Sequence, residues 1–391
     1  MATYKTSQFF KIKSSTDLRV PVPSLSELTL YGEFHGKKLS VVGDYPRRLN
    51  IGDVVFQDNS IKVLSPVNGI ANYFPSTSSV KFSIDGELNF RPTESNGKYT
   101  LQTIQEKIIN SGLVSLDFPG QSLASLFASL ISDRDSFIIF SPFTKENLVD
   151  YKSKIFEIYR NELTRLKKDI ATIFPNVNTI DFLTEKKINY RYPEGNPRYF
   201  LHKYVGVDIV KDFPHSRFLY LGPETIYHLI RALYFNVPFH ERFVSVNIIN
   251  QSGTLEGETK AFLLKNGLNL ADFLNSFQTK YKYFTVNSFY DKQPVYEIGT
   301  EFIFDIYKHH SVIICDKIHF EKSEKFCTDC NDCSYYCPVS ANPRAILERD
   351  KSGFNSSVCL ECGICSLLCP AHIDLSTRIN EVKQGVSFVI P

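Results

Sequence analysis

The sequence predicts a multidomain α+β protein built from four successive units, and three observations indicate this. The length of 391 residues favours two to four domains. Short apolar runs separated by turn residues fill the first quarter of the chain, whereas the middle alternates runs of helical and strand spacing. Eight of the nine cysteines lie between Cys327 and Cys369, which marks the C-terminal part as a unit of its own.

Residues 1–95 are predicted to form a β barrel-sandwich, because short apolar runs such as 28–31 recur between turn residues. Residues 50–56 and 63–70 resemble the carriers of lipoyl and biotinyl groups, which expose a modified lysine on a hairpin. That place holds Asp58-Asn-Ser60 here, and Lys62 falls inside the next strand. We therefore predict the carrier fold without its prosthetic group.

Residues 96–240 alternate helix and strand, which predicts an α/β domain. Leucine and isoleucine recur at helical spacing from Leu101 to Ile109 and stop before Gly112, a typical helix end. Residues 137–140 are predicted to be a buried strand. Apolar residues at intervals of three and four then predict one long amphipathic helix over 148–173.

Residues 241–318 return to strand spacing and are predicted to form a β-grasp unit with a connector. Strands are expected at 243–249 and 260–264, and a short helix at 270–277. The connector is expected to begin at residue 301 and to lead into the last unit, residues 319–391. In that unit, helices are predicted at 340–349 and 375–382.

The last unit contains one cysteine motif twice, C-x2-C-x2-C-x3-C-P. The first copy holds Cys327, Cys330, Cys333 and Cys337, and the second holds Cys359, Cys362, Cys365 and Cys369. In two-cluster ferredoxins, three closely spaced thiolates bind one [4Fe–4S] cluster and the fourth binds the other cluster. The motif therefore assigns Cys327, Cys330, Cys333 and Cys369 to a first cluster, and Cys359, Cys362, Cys365 and Cys337 to a second. This predicts an α-helical two-cluster domain of ferredoxin type.

Two other uses of cysteine fit the pattern less well. A structural zinc site commonly uses two C-x2-C pairs and has no need for a third close cysteine or for the proline that follows the fourth. A disulfide framework is typical of small secreted domains, whereas this chain is long and its first residues lack the apolar core of a secretory signal. The ninth cysteine, Cys315, follows two isoleucines and is predicted to be a small buried hydrophobic residue.

The composition excludes several classes of protein. Hydrophobic residues make up 43% of the chain and charged residues 22%, as in ordinary globular proteins. The net charge of +2 indicates neither nucleic acid nor an anionic surface as a partner. No apolar run approaches the roughly 18 residues of a membrane-spanning helix, so no direct lipid insertion is expected. Cluster thiolates require a reducing compartment for assembly, which predicts a cytoplasmic location.

The order of the units resembles one family over almost the whole chain: the C subunit of Rnf complexes and the A subunit of the sodium-translocating NADH–quinone reductase. Lys11-Ile-Lys13 and Leu28-Thr-Leu-Tyr-Gly-Glu33 resemble the opening of the reductase protein. Tyr192-Pro-Glu-Gly195 and residues 238–246 resemble blocks that both proteins share. The paired cysteine motif, followed by Pro370-Ala-His-Ile-Asp-Leu375, resembles the Rnf protein, since the reductase protein has no clusters.

This resemblance implies a subunit of a membrane complex that couples electron flow to sodium or proton transport. The implied partners are integral membrane subunits and a redox partner protein or flavin subunit. The implied location is peripheral, on the inner face of the cell membrane, through protein contacts. The barrel-sandwich and β-grasp units, which lack catalytic residues, are candidates for the docking surfaces, or they only pack against the α/β domain.

One loop departs from the family. Relatives bind a flavin nucleotide with a glycine-rich loop before a Phe-Pro step, because backbone N–H groups approach phosphates only where side chains are absent. The corresponding loop here keeps Gly112, Phe118 and Pro119, but Leu116 and Asp117 replace the glycines. Asp117 would bring a carboxylate toward a phosphate. We therefore predict that the FMN and NADH sites are lost.

These observations predict an electron-transfer iron–sulfur subunit of an NADH–quinone or NADH–ferredoxin oxidoreductase-like complex. Two alternatives stay open: an NADH-oxidising FMN flavoprotein subunit, and a docking subunit whose clusters are structural. His309, His310 and His372 stand near the cysteines in the sequence. Proton transfer is one role for them, and a structural or solvent-exposed position is the expected one.

Overall fold

The computed structural model describes residues 18–19, 27–85, 90–95, 97–130, 136–184, 190–208, 217–250, 256–277, 279–287, 294–315, 326–348 and 352–383. The described part is a multidomain α+β architecture with several sheets, which confirms the predicted fold class at that level. The Lys11-Ile-Lys13 block lies outside the described residues, and so does the last part of the predicted connector, residues 316–325.

The N-terminal unit consists of short antiparallel strands. They are β2 (Glu27–Tyr31), β3 (Glu33–Phe34), β4 (Lys37–Lys38), β5 (Ser40–Val41), β6 (Arg47–Leu49), β7 (Val54–Gln57), β8 (Lys62–Leu64), β9 (Gly69–Phe74) and β10 (Ser79–Ile84), and they follow β1 (Leu18–Arg19). The sheets have the orders β2-β10-β9-β6, β5-β7-β8 and β3-β4. The carboxylate of Asp58 accepts hydrogen bonds from the backbone N–H groups of Ser60 and Ile61, both at 2.8 Å, and so shapes the turn between β7 and β8. Lys62 therefore lies in a strand, as predicted, and not at the hairpin tip.

The α/β domain has a parallel three-stranded sheet. Its elements are α1 (Leu101–Asn110), α2 (Leu123–Ser129), β11 (Ser136–Phe140), α3 (Tyr151–Ile158), α4 (Arg160–Ile173), β12 (Asn178–Asp181), α5 (Pro197–Phe200) with a following π-helical turn (Leu201–Val205), β13 (Arg217–Leu221) and α6 (Pro223–Phe235). Strand β11 lies between β12 and β13 and pairs with both in parallel. The largely buried α6 packs against α1, α3 and α4.

The prediction of one long helix over 148–173 is wrong. The first half begins only at Tyr151, because Asp150 caps it by accepting a hydrogen bond from the backbone of Ser153 at 2.9 Å. The helix then breaks at Tyr159, whose φ of −121° and ψ of 30° are not helical. The ring of Tyr159 contacts Tyr227 and Phe235 with centroids 5.6 and 5.5 Å apart, so packing against α6 accompanies the break.

A mixed six-stranded sheet follows. Its further elements are β14 (Glu241–Ile248), β15 (Lys260–Lys265), α7 (Leu270–Asn275), β16 (Tyr283–Val286), β17 (Tyr296–Glu297) and β18 (Ser311–Cys315). The strand order is β1-β15-β14-β18-β16-β17. Residues 311–315 fall in the predicted connector, yet they form β18, which is buried along its whole length between β14 and β16. Cys315 is fully buried there, as predicted.

The C-terminal unit has four short helices, α8 (Asp332–Tyr335), α9 (Arg344–Leu347), α10 (Ile364–Leu367) and α11 (Leu375–Lys383), within the ranges that the structure describes. The helix predicted at 375–382 agrees with α11. The one predicted at 340–349 shrinks to the single turn α9, because Ser340 and Asn342 have positive φ angles of 52° and 54°. Arg349 lies outside the described residues.

The two halves of this unit repeat the same backbone conformation. Positive φ angles occur at Asp329, Asn331 and Ser340 in the first half, and at the positions that correspond to them in the second: Glu361, Gly363 and His372. The same number of residues separates each cysteine of the first motif from its counterpart in the second motif. The backbone therefore follows the duplication that the motif shows.

None of the helices within the described ranges combines the length and the apolar character that crossing a membrane requires.

Candidate cofactor site

Four thiols surround a cavity at the edge of the C-terminal unit. The cavity has a volume of about 210 Å³, and its walls include Cys337 from the first motif together with Cys359, Cys362 and Cys365 from the second. The predicted second set of ligands therefore lines one space, with the crossing cysteine among them. Lys145, Tyr192 and Asn196 of the α/β domain complete the wall.

Burial and the neighbouring thiols raise the pKa values of Cys362 and Cys365. Burial, and after it the neighbouring Cys337 and Cys359, raise the pKa of Cys362 to about 12. The pKa of Cys365 is also raised, mainly by burial and then by Cys362, Cys359 and Cys337. Without a cation the site thus favours neutral thiols. The thiolate form needs a positively charged group such as iron to stabilise it.

The first set of cysteines is more open to solvent. Cys327 and Cys330 lie in an exposed loop, whereas Cys333 is buried. Burial raises the pKa of Cys333, with smaller contributions from Cys330 and from Cys369. Cys369 of the second motif packs against the apolar cluster that contains Cys333.

Backbone N–H groups point at three of the sulfurs. The N–H of Ala341 lies 3.2 Å from Sγ of Cys337, and the N–H of Ile373 lies 3.4 Å from Sγ of Cys369. These two contacts occupy corresponding places in the two halves. The N–H of Asp329 lies 3.4 Å from Sγ of Cys327. Donors of this kind stabilise anionic sulfur and are one of the means by which proteins tune iron–sulfur clusters.

Among the residues that the structure describes, no three histidine, cysteine or carboxylate side chains converge closely enough to bind a single metal ion. Four of the eight cysteines instead line one wider cavity, and thiolates are the ligands that [4Fe–4S] clusters use. The donor set and the cavity bounded by four thiols therefore fit such a cluster.

A second cavity, of about 300 Å³, lies between the α/β domain and the six-stranded sheet, and the loop that departs from the family borders it. The side chain of Asp117 lies at the N-terminus of α6. Its Oδ2 accepts hydrogen bonds from the backbone N–H of Gly222 at 2.8 Å and from the hydroxyl of Thr225 at 2.7 Å. Burial raises the pKa of Asp117 to about 7. The helix N-terminus, where a phosphate would bind, therefore already holds a carboxyl group.

Two of the charged side chains that line this second cavity pair with each other. Arg242 makes a two-pronged ion pair with Glu224, at 2.7 and 2.8 Å. The histidines that precede the cysteines belong to this region rather than to the thiol cavity. His310 lines the second cavity, and Nδ1 of His309 accepts the backbone N–H of Asp305 at 3.0 Å. Burial lowers the pKa of His309 to about 4. His372 is exposed in the C-terminal unit.

Sequence reasoning missed the residues that the α/β domain contributes to the thiol cavity. Lys145 and Asn196 carry no signal for this role, because their contacts join segments far apart in the chain. Tyr192 does have a signal, the Tyr192-Pro-Glu-Gly195 block, but the block alone does not show what it contacts.

No family model matches the chain. The chain is similar to the C subunit of the ion-translocating oxidoreductase complex of Buchnera aphidicola subsp. Acyrthosiphon pisum (strain APS). The two are 23% identical over 369 residues, which cover 84% of this chain and 75% of that protein. This relative confirms the resemblance that the motifs indicate.

Proposed function

Because the chain is a relative of the C subunit of an ion-translocating oxidoreductase complex, we propose that it is the electron-transfer iron–sulfur subunit of such a complex. The observation that carries the proposal is the cavity bounded by Cys337, Cys359, Cys362 and Cys365. It brings a thiol of the first motif to three of the second, as two-cluster ligation requires.

In this proposal, Cys327, Cys330, Cys333 and Cys369 hold a first [4Fe–4S] cluster, and Cys359, Cys362, Cys365 and Cys337 hold a second. Each bound cluster would accept and release one electron. The protein contributes the thiolates, the N–H donors and the exclusion of water. Ile364 is buried beside the second set, and Tyr336 stands next to Cys337. Apolar and aromatic neighbours of this kind, together with the hydrogen bonds, set cluster potentials.

We expect the anaerobically purified or reconstituted protein to contain about eight iron atoms and a similar amount of acid-labile sulfide per chain, since each of the two motifs is complete. Elemental analysis and sulfide determination measure this directly. Iron near four, or preferential binding of zinc, would contradict the assignment of two clusters.

We further propose that the chain has no FMN or NADH site of its own. The carboxyl of Asp117 supports this, because it takes the backbone N–H of Gly222 that a phosphate would need. The competing function, an NADH-oxidising flavoprotein subunit, draws its support from the cavity of about 300 Å³ beside the same loop.

The absorbance spectrum distinguishes these two functions. The purified protein is expected to show broad cluster absorbance only, to release no FMN on denaturation, and to keep its absorbance when NADH is added. Dithionite serves as the control, because it reduces the clusters directly. Stoichiometric FMN, or rapid bleaching by NADH alone, would establish the flavoprotein function instead.

The partners proposed for the chain are integral membrane subunits and a redox partner protein or flavin subunit. Ubiquinone or ferredoxin is the proposed acceptor class, and sodium or protons are the proposed transported ions. The proposed location is the cytoplasmic face of the membrane, through protein contacts. The outer face of the β2-β10-β9-β6 sheet supports a docking role, since it exposes Tyr31, Ile70 and Phe74 by 49%, 46% and 42%. Large apolar side chains exposed on one face of a sheet are candidates for protein contacts.

A further inference from the structure

The α/β domain reaches into the second group of cysteines through Tyr192. This side chain is 7% exposed, and its hydroxyl donates a hydrogen bond of 2.5 Å to the backbone carbonyl of Cys362. Cys362 is the middle cysteine of the second C-x2-C-x2-C loop. Tyr192 also lines the thiol cavity itself. A residue of one domain thus contacts the cofactor loop of another.

The residues around this hydrogen bond pack the α/β domain against the C-terminal unit. Tyr192 and Leu148 of the α/β domain pack with Ile313 of β18 and with Ile364, the residue before the third cysteine of the second motif. Arg198 adds a polar contact, because its guanidinium donates to the carbonyl of Ser357 at 3.1 Å, just before that motif begins.

The first motif has a different environment. Its exposed loop is held from within the C-terminal unit, where Arg344 contacts Asp329 at 3.3 Å. Cys327 and Cys330 remain open to solvent. The hydrogen bond of Tyr192 therefore reaches the second cysteine loop directly, and the two sites are not equivalent.

We propose that Tyr192 is a positioning residue for the second cluster, and this rests on the proposed function. Its hydroxyl fixes the Cys362 peptide and polarises it. Its ring keeps water from that side of the cavity. A hydrogen bond that withdraws electron density near a ligand favours the reduced cluster. The reduction potential of the second cluster therefore depends on how the C-terminal unit packs against the α/β domain.

The test compares Tyr192→Phe with Tyr99→Phe. The first substitution removes only the hydroxyl that contacts Cys362. The second removes a buried hydroxyl of the α/β domain that donates to the carbonyl of Leu233 at 2.5 Å, the same length as the bond that Tyr192 makes. Tyr99 packs in the main apolar core and not beside the thiol cavity. Iron content and redox titrations followed by electron paramagnetic resonance are measured for both variants and for the unaltered protein. Cys330→Ser, which is expected to keep only the second cluster, identifies the signal of that cluster.

Tyr192→Phe is expected to shift the midpoint of the second cluster to more negative potential and to leave the first unchanged. Tyr99→Phe is expected to shift neither. Loss of about half the iron in Tyr192→Phe alone would also support a positioning role, by the ligand count of two clusters. Unchanged midpoints in Tyr192→Phe, or equal shifts in both variants, would overturn the inference. Absence of clusters from the unaltered protein would instead refute the proposed function.

Discussion

Cys337→Ser is expected to abolish the second cluster, although Cys337 stands in the first motif. The reason is its position in the wall of the cavity that Cys359, Cys362 and Cys365 also line. Iron should fall from about eight to about four atoms per chain, since each cluster holds four. The signal that remains should match that of Cys362→Ser and differ from that of Cys330→Ser.

The reciprocal variant and a control complete the test. Cys369→Ser should give the same spectrum as Cys330→Ser, because the crossing assignment makes Cys369 the fourth ligand of the first cluster. Cys315→Ser changes the ninth cysteine, which is buried in β18 outside both motifs, and should keep the full iron content. A Cys337→Ser protein whose remaining signal matches Cys330→Ser would show that each motif binds its own cluster, without crossing.

A complete ligand set can be predicted from the sequence because the information is local, and four of its members line one cavity in the structure. Three cysteines two residues apart define a loop by themselves, and the repeat of that loop identifies the crossing partner. The hairpin of Asp58 and the end of α1 near Gly112 are also set by neighbouring residues. Such features depend on turn and capping chemistry, which a single sequence shows directly.

The features of the fold that the sequence did not predict have a different origin, because they depend on contacts between distant segments. The five residues of β18 are all buried and carry no alternation, so periodicity cannot place them in a central strand. The break at Tyr159 accompanies ring packing on α6, which comes much later in the chain. The contact of Tyr192 with Cys362 spans an even longer separation. Tertiary contacts of this kind override local propensity.

The buried ion pair between Glu224 and Arg242 gives the largest effect expected on stability. It joins α6 to β14, and its side chains are 9% and 6% exposed. The hydroxyl of Tyr151 donates to Glu224 at 2.8 Å, and Arg242 also donates to the carbonyl of Ile306 at 2.9 Å. Burial lowers the pKa of Arg242, but the attraction of Glu224 outweighs this and the pKa is raised, so the guanidinium stays charged.

Glu224→Gln is therefore expected to lower the free energy of unfolding by about 3–5 kcal/mol, because it leaves a buried guanidinium without its counter-charge. Asp85→Asn is the matched control. The Arg48–Asp85 pair has the same two-pronged geometry, with both contacts at 2.7 Å, but its side chains are 62% and 43% exposed. Removing its charge should cost about 0–1 kcal/mol. Anaerobic urea denaturation followed by circular dichroism compares the two variants with the unaltered protein. Losses of similar size in both would mean that burial does not decide the strength of these pairs.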